Sequence, residues 1–182
     1  MSKLDPAGGV IILDRDGTVV IDREYLADPA GLEFEPEAAN GLRWLHSLGY
    51  RLVVITNQSG VGRGFFTLEA VAAMNARLKS MVEVAGAHLE GIYFCPHTPE
   101  AGCDCRKPAQ GLLIQAAREL HFNPAAAVVI GDKDSDIEFG RRAGAKTILI
   151  ADHANAACKK FLPDFVAPNL LEAARNIIAQ GL

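Results

Sequence analysis

No stretch of this 182-residue chain approaches the length of an apolar membrane span, and the opening Met1-Ser-Lys-Leu-Asp-Pro lacks a basic segment followed by a long apolar one. A spanning helix needs about 20 consecutive apolar residues, so the expectation is a soluble, cytoplasmic protein without a secretory leader. Positive charge is not in excess either: Lys and Arg number 18 against 22 Asp and Glu, a net charge of −4. That balance disfavours a broad nucleic-acid surface, and any anionic ligand must meet focused positive charge. Cysteine is scarce, at four residues, and nothing indicates an oxidising compartment, which argues against a disulfide framework. Internal repeats, low-complexity tracts and an interdomain linker are absent as well. At this length, with 49% hydrophobic residues, one substantial core is expected, hence a single domain over residues 1–182; the expected state is a monomer.

Three of the few cysteines are concentrated in one place. Cys95, His97, Cys103 and Cys105 lie within Cys95-Pro-His-Thr-Pro-Glu-Ala-Gly-Cys-Asp-Cys-Arg-Lys-Pro108. Three thiolates and one imidazole are the donors a closed tetrahedral zinc site prefers, with no position left open for a catalytic water. Pro96, Pro99 and Gly102 suit a turn rather than a helix, so the ligands can converge in a zinc loop over 95–108. The competing reading is disulfides or free thiols. Against it, Cys103 and Cys105 are too close in sequence to bridge comfortably. Cys158, alone in an Ala-rich stretch, reads as a small semi-buried thiol.

Short Val- and Ile-rich runs alternate with helical spacing, the rhythm of βα units around a parallel sheet. Strands are expected at 9–14, 51–56, 91–94, 127–131 and 146–150. Helices are expected at about 36–48 with Gly49 as C-cap, 67–85 with Thr67 as N-cap, 111–120, 135–142 and 170–179. Trp44 on the first helix reads as core. The connection over about 22–37 is longer than a turn needs and reads as a functional flap.

Three of these strands end in polar residues. Asp14-Arg-Asp-Gly-Thr18 follows the first, Thr56-Asn-Gln-Ser59 the second, and Gly131-Asp-Lys-Asp-Ser-Asp136 a later one. Open α/β sheets bind ligands at the carboxyl ends of their strands. One carboxylate can act as a covalent nucleophile, a second can exchange a proton, a divalent cation can neutralise the charge between enzyme and phosphoryl group, and Lys107 adds a cation. A lone Asp at a strand end is usually a turn former or cap; their joint occurrence is what points to chemistry. His46, His88 and His121 fall in or beside helical patterns and take no role, and Arg141 and Arg142 read as charges at a helix C-terminus.

The chain resembles the haloacid dehalogenase superfamily phosphatases. Asp14-x-Asp16-Gly-Thr18, Thr56, Lys107, and Gly131-Asp132 with Asp136 stand for the four motifs of that superfamily. The resemblance implies a Rossmann-like fold with a central parallel sheet and no large cap domain. It implies Asp14 as nucleophile, Asp16 as acid and base, and Thr56 and Lys107 as grips on the phosphoryl oxygens. Mg²⁺ would be held by Asp14, Asp132 and the backbone carbonyl of Asp16, beside a structural Zn²⁺ on the Cys95 set.

Within the superfamily the chain is similar to the D-glycero-D-manno-heptose 1,7-bisphosphate 7-phosphatases. The residues that carry this are Asp22-Arg-Glu-Tyr25, Thr56 to Ser59, Arg63-Gly64, Cys95-Pro-His97, Cys103-x-Cys-Arg-Lys-Pro108 and Lys133. By that similarity Asp22, Arg23, Glu24, Tyr25, Thr56, Asn57, Gln58, Ser59, Arg63, Arg106, Lys107 and Lys133 bind a small phosphorylated sugar, in the biosynthesis of nucleotide-activated heptose and lipopolysaccharide precursors. The alternatives are a histidinol-phosphate phosphatase, a polynucleotide 3′-phosphatase and, from a different class, a zinc-containing binding module.

Overall fold

The computed structural model describes residues 9–151 and 161–181, so Cys158 lies outside the described residues. Six parallel strands form one sheet: β1 (Val10–Leu13), β2 (Arg51–Asn57), β3 (Leu89–Cys95), β4 (Val128–Gly131), β5 (Lys146–Ile150) and β6 (Phe165–Ala167). Five helices flank it: α1 (Ala38–Ser47), α2 (Leu68–Val84), α3 (Gly111–Leu120), α4 (Asp134–Ala143) and α5 (Leu170–Gln180). The expected elements are all present, with ends moved by one or two residues. The three-residue β6 was not foreseen.

β1 and β4 are buried at every position, as strands covered on both faces must be. Alternation along β1 divides the core into two layers. Ile11 and Leu13 join Leu42 and Leu45 of α1, Leu78 of α2 and Ile177 of α5. Val10 and Ile12 join Leu113 of α3 and Phe139 of α4 on the other face. Trp44 packs, partly buried, against the first layer. The Thr67 side chain accepts from the Ala70 N–H and starts α2, as a Thr N-cap should. The α1 cap is Leu48 rather than Gly49, and Gly49 follows it with φ +87°.

The strand order is β3-β2-β1-β4-β5-β6. Connections run outward from β1 through β2 to β3, then return to β4 on its other side. The order therefore reverses between β1 and β4, where a crevice opens at the strands' carboxyl ends. Asp14, Thr56 and Asp132 are the first residues or last side chains at those ends. The flap base is tied by an antiparallel bridge between Val20 and Phe34, by Ile21 N–H to Glu33 O at 3.0 Å and by Glu35 N–H to Val19 O at 3.0 Å. Among the described residues no helix is long and apolar enough to cross a membrane.

Candidate active site

The switch point holds a cleft of about 520 Å³, floored by Asp14, Thr56 and Lys107 and rimmed by flap residues 22–26, Arg106 and Lys133. Lys107 is buried, and its Nζ lies 2.6 Å from Asp14 Oδ1 and 2.7 Å from Asp136 Oδ1. Burial opposes the ammonium, but the charges of Asp136 and Asp14 outweigh it and raise the Lys107 pKa. Burial in turn raises that of Asp136. Asn57 clamps the Lys107 backbone from both sides, accepting from its N–H at 3.0 Å and donating to its carbonyl at 3.2 Å. This amide, expected to face substrate, is spent on holding the cation in place.

Two close approaches shape the floor. Gly17, at φ +85°, lies so near Asp132 that a β-carbon would stand 2.5 Å from its Oδ2. Gly131 meets α4 in the same way, a β-carbon there falling 2.4 Å from that of Asp136. Asp136 closes the start of α4 by accepting from the Lys133 N–H at 3.1 Å. The Gly131-Asp132…Asp136 spacing signalled this residue, although its grip on Lys107 shows only in the structure.

One carboxylate oxygen each from Asp14, Asp132 and Asp136 lies within 4.8 Å of the others. Burial raises the Asp132 pKa to about 7, with Lys133 opposing and Asp14 and Asp136 adding to the rise. Asp132 Oδ1 is buried without a hydrogen-bond partner among the described residues. An orphaned carboxylate oxygen among hard oxygen donors fits Mg²⁺.

Asp16 opens onto the cleft under Gln58, whose Nε2 donates to Asp16 Oδ2 at 2.7 Å and to Thr56 Oγ1 at 2.9 Å. From the rim, Lys133 Nζ reaches Asp22 Oδ2 at 3.1 Å and Asp132 Oδ2 at 3.7 Å. Burial opposes the Lys133 charge, yet Asp132 and Asp22 outweigh it and raise its pKa. Burial works to raise Asp22 as well, and Lys133 turns the balance so that its pKa falls. Glu24 and Tyr25 take φ of 40° and 57°, and the Tyr25 ring meets Phe65 edge-on at 4.6 Å. Arg23 pairs with Glu33 at 2.9 Å. Ser59 lines the cleft, whereas Arg63 is exposed and sits beside Glu100 of the 95–108 loop.

In that loop Cys95 Sγ stands 3.1 Å from Cys105 Sγ and 3.5 Å from Cys103 Sγ, and His97 Nδ1 is 3.1 Å from Cys105 Sγ. Burial pushes the Cys95 thiol up to about 12. Burial also works against the Cys103 thiolate, but hydrogen bonds from Cys105 and Cys95 bring its pKa to about 6. These three cysteines are free. Four soft donors converging without a disulfide fit Zn²⁺. Arg106 Nη1 donates to His97 O at 3.3 Å, tying loop to cleft.

Residues 104–173 match the HAD-hydrolase-like family. The D-glycero-beta-D-manno-heptose-1,7-bisphosphate 7-phosphatase of Helicobacter pylori is 39% identical over 159 residues, 83% of this chain and 92% of that protein. The chain belongs to this phosphatase family. The Yersinia pestis member is 35% identical over 93% of this chain and 95% of its own length. The crystal structure of the D,D-heptose 1,7-bisphosphate phosphatase of B. bronchiseptica, complexed with magnesium and phosphate, superposes with a TM-score of 0.85. Its identity is 28%, over 94% of this chain and 99% of that one. Family membership makes the chain a phosphoric monoester hydrolase of haloacid dehalogenase-like fold.

Proposed function

We propose that the chain removes the C7 phosphate of D-glycero-β-D-manno-heptose 1,7-bisphosphate through an aspartyl phosphate on Asp14. The observation that carries this is a buried carboxylate in contact with Lys107, sharing one cleft with Asp16, in a chain whose relatives bear that enzyme name. Asp14 attacks phosphorus, the bond to the sugar oxygen breaks, and Asp16 gives that oxygen its proton. Asp16 then takes a proton from water as the water attacks phosphorus; the bond to Asp14 breaks and orthophosphate leaves. Thr56 and Lys107 hold the phosphoryl oxygens. Bound Mg²⁺, on the carboxylates of Asp14 and Asp132 and the carbonyl of Asp16, supplies neutralising charge. Zn²⁺ on Cys95, His97, Cys103 and Cys105 holds the loop that carries Arg106 and Lys107.

The C1 phosphate serves as a handle for Arg106 and Lys133, and binding energy at that non-reacting end orients the reacting one. Arg23, Glu24, Tyr25 and Ser59 complete the sugar site, with Arg63 at its edge and Asn57 acting through the Lys107 backbone it holds. A cationic rim suits a second phosphate better than the ammonium of histidinol phosphate, and the relatives' names weigh the same way. A monomer of one domain completes this reading, and thiolate ligands suit a reducing cytoplasm.

The test is phosphorus NMR of the products. Loss of the C7 signal with C1 retained is expected, and Arg106→Ala should erase much of the preference for bisphosphate over monophosphate. Release of C1 first, or a higher kcat/KM for histidinol phosphate, overturns the assignment.

A further inference from the structure

We propose that Arg15, standing between the two motif carboxylates, is a positioning residue for Asp16 and is itself anchored on α2 through Asn75. The inference rests on the reading above, in which Asp16 carries the proton. Arg15 is 3% exposed, and a guanidinium taken out of water needs a charged, well-shaped partner. The partner is Asp16, whose side chain keeps 22% exposure toward the cleft.

Successive side chains of an extended strand point to opposite faces, so neighbours in sequence do not ordinarily pair. Here Arg15 O accepts from the N–H groups of Val19 and Val20, and the resulting turn brings both side chains to one side. Arg15 Nε lies 3.2 and 3.1 Å from the two Asp16 oxygens, and Nη2 lies 3.2 and 3.0 Å from them. Nη1 points the other way and donates to Asn75 Oδ1 at 3.3 Å. Gln58 completes the hold from the Thr56 side at 2.7 Å.

The Asp16 carboxylate is therefore fixed by a cation tied to a helix and by an amide tied to the Thr56 hydroxyl. Every one of these contacts is a donor, which suits the ionised carboxylate after its proton has gone to the sugar and before it takes one from water. Proton transfer needs heavy atoms about 2.6–3.2 Å apart, and a misplacement of about 1 Å costs on the order of 100-fold. Without Arg15, Asp16 would be free to sample its other staggered rotamers.

The experiment compares leaving groups. Values of kcat/KM report the steps up to departure of the alcohol, before the phosphoenzyme is hydrolysed. Alkyl phosphates (the heptose bisphosphate and glycerol 3-phosphate) need a proton at that step, and p-nitrophenyl phosphate does not. Arg15→Lys, which keeps the charge and loses the fork, should lower kcat/KM for the alkyl substrates about tenfold. Asn75→Ala should lower it about threefold, the loss of one hydrogen bond. The loss on p-nitrophenyl phosphate should be about twofold for Arg15→Lys and too small to measure for Asn75→Ala, because proton donation is the part disturbed.

In an Asp16→Asn background neither substitution should lower the rate further. Equal losses on both leaving groups, or full additivity with Asp16→Asn, overturn the proposal and leave Arg15 a structural residue. Asn75 is not among the residues lining the cleft, so Asn75→Ala decides the matter if Arg15→Lys does not fold. Wild-type protein that cleaves no phosphate overturns this proposal and the phosphatase reading together. Activity on glycerol 3-phosphate without activity on the heptose bisphosphate overturns the substrate reading alone, and the glycerol 3-phosphate comparison then decides the role of Arg15.

Discussion

Replacing Gly17 with Ala should separate the metal site from the rest of the fold. Gly17 holds φ +85°, and an added β-carbon would stand 2.5 Å from Asp132 Oδ2 and 2.8 Å from its Cγ. A left-handed conformation costs an L-residue about 1–2 kcal/mol, and at this chain length each kcal/mol lowers Tm by about 2–4 °C. Ordinary carbon contacts begin near 3.5 Å, so Asp132 must retreat by about 1 Å. It can do so because its side chain is 21% exposed, which keeps the stability loss small. The chemical loss should be larger, on the order of 100-fold in kcat for a displacement of that size. Half-saturation by Mg²⁺ should rise about tenfold, the equivalent of about 1.4 kcal/mol of lost binding. Phosphate release measured across a Mg²⁺ titration, with a thermal melt beside it, makes the check. A variant with wild-type kcat and unchanged Mg²⁺ dependence would refute the reasoning, whatever its Tm.

Asp14→Asn should abolish turnover by several powers of ten while the melt stays cooperative, because volume is kept and the anionic nucleophile is lost; burst-phase and steady-state phosphate release check it. Mild EDTA treatment should remove activity reversibly, with Mg²⁺ alone restoring it and zinc still present by metal analysis; protein purified without chelator and free of zinc would contradict the structural site. Stability toward acid should depend on Asp164. Burial works to raise this carboxyl, but the Thr147 N–H and hydroxyl, each at 2.9 Å, and Arg141 outweigh it and lower its pKa. A folded-state pKa below the unfolded one gives stability that is full above the unfolded value near 4 and fades as pH falls through the lowered one. Asp164→Asn should therefore lower Tm at neutral pH and flatten its fall below about pH 4, as melts across a pH series will show.

The set of reactive side chains that gather at the cleft was legible in local residue types. Asp14, Asp16, Thr56, Lys107 and Asp132 stand at strand ends or on the loop beside them, and short apolar runs identify those strands. The Cys/His cluster was legible for the same reason: three cysteines and a histidine within eleven residues need only a turn to converge. β6 was not legible, since three residues carry no period and only pairing with β5 makes them a strand.

Tertiary structure decided what each side chain does with its reach. Asn57 has the type of a substrate ligand, yet its amide serves the Lys107 backbone, fifty residues away. Arg15 stands between the two motif carboxylates with no role assigned from sequence, and its meaning comes from Asn75, sixty residues on. The sequence alone determined the residue types and the local periods, hence the elements and the set of reactive groups. The sheet order, which seats β1 between β2 and β4 and brings Asp14, Thr56 and Asp132 to one crevice, was decided only on folding. Pairing and burial act between segments far apart in the chain, and no local pattern encodes which of them meet.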